Sequence, residues 1–243
     1  MRRIKLYAAL VGLIIYILVM NAHYLGFAPA MFRKGNMYFF GNVGHPQDFV
    51  KAVEWFTKSA DAGYPKAQNN LGLIYLDGRP GVPANIKLAH KYLGMAAEQK
   101  YQPGMHNFAR CLLRDDNPER DAGKAFANFL AAAEQEFPPS MGEVGHRYEL
   151  GIGVATDSAK ALAWYAKGAE WGDSFSCQRY GQLLFDGTGV KQDRARGLAM
   201  LILGGDPIAI KAAREQADEQ LRKQATELYK QMRDDLEARE NGG

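Results

Sequence analysis

Residues 141–172, MGEVGHRYELGIGVATDSAKALAWYAKGAEWG, carry the pattern that decides the fold of this chain. The turn GIGV begins at Gly151 and separates two helical segments, because glycine adopts positive φ angles without a Cβ clash. Asp157 stands where the second helix begins, and its carboxylate can accept hydrogen bonds from the first free backbone N–H groups. Trp164 and Tyr165 then give that helix an apolar side. The stretch therefore predicts a helix, a glycine turn and a second helix.

This pattern recurs along the chain with a period of 36 or 37 residues. The residues at the predicted N-cap follow the period: Asp48, Asn85, Asp121, Asp157 and Asp193. The small residues of the first helix follow it too: Gly35, Gly72, Ala109, Gly145 and Gly181. The aromatic pair recurs at 55–56 and, in weaker form, at 92–93, 128–129 and 200–201. Several columns that share one period indicate tandem copies of a single helical hairpin.

Three segments carry a family signature: LGxxYxxG from Leu71, VGxxYxxGxGVxxDxxKAxxWY from Val144, and YG followed by GxGVxxD from Tyr180. Through them the chain resembles the Sel1-like repeat family, a relative of the tetratricopeptide repeat with a longer loop inside each repeat. The resemblance covers residues 32–205 and implies an all-α, right-handed α-solenoid of about five helix-turn-helix repeats. The copy at 101–137 departs most, because DDNP replaces its glycine turn.

The first thirty residues differ from the repeats in composition. Three basic residues precede the uncharged run 6–20, and its extension to 6–27 is long enough to cross the roughly 30 Å hydrocarbon core. Tyr7 and Tyr24 would then lie near the two membrane interfaces. Because residues 1–30 contain basic but no acidic side chains, we predict a cytoplasmic N-terminus and repeats on the far side of the membrane.

Two interpretations of this segment stay open, an uncleaved signal anchor and a cleaved signal peptide. We favour the anchor, because MNA at 20–22 is a poor cleavage site and APA at 28–30 lies far from the apolar core. A buried soluble helix is disfavoured, since the run has no amphipathic stripe. The predicted location is the bacterial inner membrane, with a single membrane pass and the repeats facing the periplasm. The alternative is a cleaved and exported protein.

The predicted organisation has three parts: an N-terminal membrane helix in 1–30, the repeat solenoid in 31–205, and a C-terminal part in 206–243. In the last part, residues 208–239 show apolar residues at spacings of three and four, which predicts one amphipathic helix. We expect this helix to cap the last repeat, and its exposed part to be available for oligomerisation. Residues 240–243 are expected to fray.

The repeat part is electrically neutral, because removal of the three N-terminal cations leaves 27 basic residues against 27 acidic ones. A nucleic-acid-binding surface is therefore not expected. The GIG turn is not expected to hold phosphate, since such a loop follows a strand and opens a helix. Cys111 and Cys177 fall in repeats three and five, too far apart for a disulfide in a solenoid, so both are expected to be small buried residues.

The sequence contains no recognisable catalytic, cofactor-binding or metal-binding motif, so we predict no catalytic, cofactor or metal residues. His146 lies near Glu149 without the further ligands that a metal needs. Trp55 and Trp164 occupy the same repeat position, which favours core packing over ligand stacking. A loose group of carboxylates is interpreted as a solvated face: Glu134, Glu136 and Glu143.

Stacked helical hairpins leave a long groove whose specificity lies in exposed residues. The leading hypothesis is a membrane-anchored, noncytoplasmic adaptor that is not an enzyme and holds a protein or peptide partner in that groove. Resemblance to the Sel1-like family implies the same, because its members mostly scaffold multiprotein assemblies. Candidate groove positions on the first helices are Asn69, Arg110, Arg147 and Arg179. Two alternatives remain: a peptidoglycan-binding or hydrolytic enzyme of the cell envelope, and a self-assembling structural protein.

Overall fold

The computed structural model describes residues 27–41, 44 and 46–242. Within these residues the regular structure is entirely helical apart from one isolated β-bridge between Arg79 and Val82. This agrees with the predicted all-α class. The helices are α1 (27–40), α2 (Phe49–Asp61), α3 (Pro65–Asp77), α4 (Ile86–Glu98), α5 (Gln102–Leu112), α6 (Ala122–Glu134), α7 (Pro138–Leu150), α8 (Ser158–Glu170), α9 (Ser174–Asp186), α10 (Arg194–Gly204), α11 (Pro207–Glu215) and α12 (Glu219–Gly242).

The predicted membrane segment, residues 6–27, lies outside the described residues except for Phe27. In the part of the chain that is described, no helix combines the length and the apolar character that a bilayer crossing requires.

The chain divides into two compact units, Met1–Arg120 and Asp121–Gly243. In the first unit α3 packs between α2 and α4, and it also contacts α5. In the second unit α8 packs between α7 and α9, α7 contacts α9 directly, and α10 packs against α9. Within each unit, consecutive first helices therefore contact each other while the second helices join them into hairpins, which is how helical repeats stack in a solenoid.

The five predicted N-caps are confirmed. Each cap residue starts the second helix of a repeat, and its side-chain oxygen accepts a hydrogen bond of 2.9–3.1 Å from the backbone N–H three residues later. These bonds satisfy N–H groups that a helix otherwise leaves free at its start. They also hold the pKa of three of the carboxyls below the usual value, at Asp48, Asp121 and Asp157.

In three hairpins a glycine of the first helix faces a large side chain of the second helix, a contact that we call the hairpin lock. A Cβ at Gly35 would lie 2.5 Å from the Phe56 ring, and a Cβ at Gly72 would lie 2.5 Å from Cγ of Leu93. Such distances are impossible for real side chains, so these helices approach only because the first one lacks a Cβ. The large residues of these three locks are at most 1% exposed: Phe56, Leu93 and Tyr165.

The turn of the third repeat uses an asparagine in place of glycine. Asn117 is 4% exposed, and its side-chain amide donates to the carbonyl oxygen of Cys111 at 2.9 Å. Its Oδ1 accepts from the backbone N–H of Glu119 at 3.0 Å. One side chain therefore binds a carbonyl at the end of α5, which also accepts from the backbone N–H of Arg114 at 3.3 Å, and fixes the turn that follows, which explains how DDNP replaces the glycine turn.

The junctions between repeats share a left-handed backbone residue that the sequence pattern did not reveal. Gly63 and Gly172 adopt φ angles of 84° and 73° there, as glycine does readily. Lys100 and Glu136 occupy the same place with φ angles of 57° and 63°. The repeat geometry therefore imposes a positive φ angle even where the residue has a Cβ.

The prediction of one helix over residues 208–239 is wrong, because α11 ends at Glu215 and α12 begins at Glu219. The interruption has a local cause: Asp218 accepts from the backbone N–H of Leu221 at 2.8 Å and so caps a new helix. Both helices pack against α10, through Ala213 of α11, Ala217 in the link between the helices and Ala225 of α12. The helix α12 extends to Gly242, through residues that were expected to fray.

The hairpin lock makes a test of the fold. We expect Gly72→Ala to lower the free energy of unfolding by about 1–3 kcal/mol, because the new Cβ overlaps Leu93 and forces α3 and α4 apart. Gly94→Ala is the matched control: its Cβ would lie 3.5 Å from Phe108, so it should raise stability by up to about 1 kcal/mol through helix propensity. Urea unfolding measures both, and equal effects of the two variants would contradict the lock.

Candidate functional site

Each first helix presents one stripe of partly exposed side chains at spacings of three and four residues, which places them on one face. We define the first stripe, in the first unit, by positions on α3 and α5, of which Asn107 is buried and the others are partly or fully exposed: Lys66, Asn70, Leu73, Asp77, Pro103, Asn107 and Arg110. We define the second stripe, in the second unit, by positions on α7 and α9: Pro139, Glu143, His146, Leu150, Phe175, Arg179, Gln182 and Asp186. Buried residues occupy the intervening positions of these helices.

Two of the four candidate groove residues lie on these stripes. Arg110 is exposed on α5, and Arg179 is partly exposed on α9. Asn69 and Arg147 are buried, at 5% and 8% exposure, so their assignment to an open surface is wrong. Asn69 and Arg147 are adjacent in sequence to the stripe residues Asn70 and His146. Because adjacent residues of an α-helix point about 100° apart, a shift of one position moves a side chain from the exposed face to the core.

Buried amides join the two helices of the first stripe. The amide nitrogen of Asn107 donates to Oδ1 of Asn69 at 2.9 Å, across α3 and α5. Asn69 donates in turn to Oδ1 of Asn70 at 3.3 Å. Arg110 approaches Oδ1 of Asn107 at 3.4 Å. Polar groups of the exposed stripe are therefore held in place by an amide pair that is itself shielded from water, which strengthens each bond.

A charged cluster links the helices of the second unit. Both carboxylate oxygens of Glu149 are bound: one accepts from the Arg179 guanidinium, and the other accepts from the Tyr165 hydroxyl at 2.6 Å. Partial burial acts to raise the pKa of Glu149, but the hydrogen bond from Tyr165 and the charge of Arg179 outweigh it and hold this pKa below the usual value. Burial and the bond to Glu149 raise the pKa of Tyr165. The cluster therefore keeps a fixed ion pair with a neutral phenol.

The other repeats show that the fold does not require this cluster. By the repeat period, Glu149 corresponds to apolar residues elsewhere: Leu76, Leu113 and Phe185. Tyr165 corresponds to residues without a hydroxyl: Phe56, Leu93, Phe129 and Leu201. Glu149 and Tyr165 border a cleft of about 480 Å³ whose walls include Leu162 and Leu183. The fourth repeat thus replaces an apolar contact with a charged one beside open space.

His146 lies at the edge of the cluster, within the second stripe. Its Nδ1 is 3.7 Å from the Glu149 carboxylate, and its ring meets the Phe175 ring edge-on at 5.5 Å between centroids. Within the described residues, no group of three or more His, Cys, Asp and Glu side chains is arranged to hold a metal ion. Of the predicted solvated carboxylates, Glu134 and Glu136 are exposed, whereas Glu143 pairs with Arg147 at 2.8 Å.

The interpretation of Trp55 and Trp164 as core residues is wrong. Both indoles are partly exposed, and it is the second aromatic of each pair, Phe56 or Tyr165, that is buried. Trp55 lies between two ammonium groups, with Lys34 at 4.0 Å and Lys58 at 4.4 Å from its ring centroid. The indole therefore faces outward under cations and contributes a cation–π contact at the surface.

Both cysteines are buried free thiols, as predicted. Burial raises the pKa of Cys111 to about 11 and that of Cys177 to about 12. A buried thiol with a raised pKa is a poor nucleophile, because the thiolate is the reactive form. Burial also lowers the pKa of His106 to about 4, which keeps that imidazole neutral. These groups therefore belong to the packing of the repeats.

Five consecutive matches to the Sel1 repeat cover residues 28–64, 65–101, 103–137, 138–173 and 174–205. The chain belongs to the Sel1 repeat family. The resemblance deduced from the signature residues is thus confirmed, and the weakest copy, which carries DDNP, is a Sel1 repeat as well. Sel1 repeat proteins in general mediate interactions between proteins, and the family is generally non-catalytic.

Proteins that resemble the chain include solved Sel1 structures. A Sel1 repeat protein from Oxalobacter formigenes is 28% identical, with a TM-score of 0.72 over 85% of this chain and 87% of that one. The protective antigen c5321 of uropathogenic Escherichia coli is 26% identical, with a TM-score of 0.75 over 84% of this chain and 45% of that one. Both support the all-helical solenoid fold.

A curated relative is the ERAD-associated E3 ubiquitin-protein ligase component HRD3A of Arabidopsis thaliana. It is 43% identical over 53 residues, which are 22% of this chain and 8% of the relative. The chain therefore spans a small part of this relative's length.

The charged cluster makes a pH-dependent prediction. Because the pKa of Glu149 is lowered in the folded protein, its contribution to stability is present above the unfolded value of about 4.3 and is lost as the pH falls through the folded value. We expect Glu149→Gln to lower the free energy of unfolding at pH 7 by about 1–3 kcal/mol, and the difference from the unmodified protein to shrink below about pH 4.

Urea unfolding between pH 7 and pH 3 measures this difference. The exposed Glu134→Gln is the control and should show no difference at either end of the range. A Glu149→Gln deficit that stays constant across the range would show that the charge of the carboxylate is not what ties the three helices together.

Proposed function

We propose that this Sel1 repeat protein is a membrane-anchored, noncytoplasmic scaffold that is not an enzyme and holds a protein or peptide partner along its exposed stripes. The anchor is the uncharged segment 6–27, and the repeats lie in the periplasm of a bacterial cell. The family supports the scaffold role, since its members in general mediate protein–protein interactions. HRD3A, by its name a component of a ligase assembly, is consistent with such a role.

The observation that carries the proposal is the contrast between constant and variable columns of the repeat. The lock and cap columns keep their residue types from repeat to repeat, because packing and helix starts demand them. One stripe column reads Asn70, Asn107, Glu143 and Arg179, and another reads Leu73, Arg110, His146 and Gln182. Charge and size vary more along these two columns than along the lock and cap columns, as expected for a surface whose residues meet a partner.

The geometry of the stripes suits recognition of a peptide or protein surface. The amide pair of Asn69 and Asn107 and the ion pair of Glu149 and Arg179 fix polar groups before a partner arrives, which reduces the entropy lost on binding. Leu150 and Phe175 add apolar area to the second stripe, at 54% and 37% exposure. Mixed polar and apolar groups on a rigid face are typical of protein interfaces.

The cluster is poorly suited to acid–base catalysis. A general acid needs a raised pKa, whereas the pKa of Glu149 is lowered and both of its oxygens are bound. This supports the scaffold over the hydrolytic enzyme that the sequence left as an alternative.

Photo-crosslinking in living cells tests the stripes. A photoreactive amino acid at Leu73 or Leu150, one position on each stripe, should form crosslinks to a partner protein, because Leu73 is partly exposed and Leu150 is exposed. The matched controls are Glu54 and Ala163, exposed positions on second helices of the same two units. Equal crosslinking at stripe and control positions, or no crosslinking at the stripes, would contradict the proposal that the stripes bind a partner.

Reporter fusions test the topology. A reporter active only outside the cytoplasm, fused after Gly243, should be active, and a reporter active only in the cytoplasm should be silent at the same place. N-terminal sequencing of the membrane-bound product should begin within residues 1–5 for an anchor. The opposite pair of reporter activities would disprove the topology, and a mature product that begins near residue 31 would replace the anchor with a cleaved signal peptide.

A further inference from the structure

The two C-terminal helices, α11 and α12, do not repeat the hairpin lock. The repeat period would place its small residue at Ala217, beyond the end of α11, and its large residue at Glu237. Both helices instead pack on α10, with Ala213, Ala217 and Ala225 in one core cluster.

This arrangement leaves a trough between α10, α11 and α12, which we call the end groove. It encloses a volume of about 730 Å³. Apolar side chains line its floor, among them Ile202 and Ile210. Longer polar side chains form its rim: Lys211, Arg214, Glu215, Arg222 and Thr226. The trough is thus an apolar depression with a charged border, of the kind into which a helix can lay an apolar face.

The rim of the end groove carries an excess of positive charge. Glu215 is its one carboxylate and lies 4.0 Å from Lys211, in an exposed pair of the kind that binds weakly. Arg222 donates through Nε and Nη2 to the carbonyl oxygen of Ala217, at 2.9 and 2.7 Å, so its guanidinium is fixed without a neutralising carboxylate. The Arg214 guanidinium makes no hydrogen bond or ion pair with the rest of the described chain.

We infer that the end groove docks an acidic amphipathic helix of a protein partner. Apolar side chains of that helix fill the floor at Ile202 and Ile210, and flanking carboxylates meet Arg214 and Arg222. A helix fits because the trough has an apolar floor and is bounded by three helices. An acidic one fits because two rim cations have no carboxylate partner, and complementary charge selects partners and speeds their encounter. This surface is separate from the two stripes, and its test is independent of theirs.

The experiment uses the full-length chain in detergent and two synthetic probes. Both are fluorescent 18-residue helical peptides with the same leucine stripe, one flanked by glutamates and the other by lysines. Fluorescence anisotropy should show the glutamate peptide binding at least about tenfold tighter, a difference of about 1.4 kcal/mol, and this preference should weaken as salt rises. The double variant Lys211→Glu and Arg214→Glu should lose or reverse the preference.

The matched control, Lys191→Glu with Lys230→Glu, makes the same change of charge at exposed lysines outside the groove and should keep the preference. Both double variants replace exposed residues, so their thermal unfolding should match that of the unmodified protein. Equal binding of the two peptides, or an unchanged preference in the groove variant, would overturn the inference. Sedimentation of the protein without peptide completes the test. If the unmodified protein self-associates and the groove variant does not, the end groove binds a second copy of the chain, and the inference of an acidic partner helix is overturned as well.

Discussion

The close approach of two helices at a position without a Cβ underlies the whole repeat. Gly35, Gly72 and Gly145 leave room for the Phe56, Leu93 and Tyr165 side chains, which are then almost completely removed from water. Burial of a side chain of this size stabilises by about 1.5–3 kcal/mol, and each of these three hairpins obtains it at the lock. The contact also sets the distance and register between the two helices of these hairpins.

The sequence predicted those features that a periodic pattern can express. Caps and small residues appear once per repeat, and each has one local cause, so their positions were correct. The pattern could not say which member of the pair Trp55–Phe56 is buried, because two adjacent apolar residues satisfy the same column while pointing about 100° apart. It also missed the break after α11, because the apolar spacing continues through residues 216–218 and the capping bond of Asp218 leaves that spacing intact.

The charged cluster was not predicted from the sequence, for a different reason. The cluster of Glu149, Tyr165 and Arg179 joins three helices, and its members are 16 and 30 residues apart in the chain. No motif of local spacing brings them together. One signal in the sequence could have found them: Glu149 breaks a column that is otherwise Leu76, Leu113 and Phe185. A charged residue in an apolar column identifies a place where something other than packing determines the residue.

Comparison of equivalent positions in the repeats shows which residues the fold requires and which it leaves variable. Where the repeats share a residue type, that residue is required by a helix start, a turn or a lock. Where the repeats differ on an exposed stripe, the variable residue is available to contact a partner. At the end of the array the repeat pattern stops: no lock forms at Ala217 and Glu237, and a trough lies between α10, α11 and α12. Recognition surfaces in such a protein can therefore arise in two ways, from exposed side chains that vary between repeats and from the end of the array, where no further repeat covers the last helices.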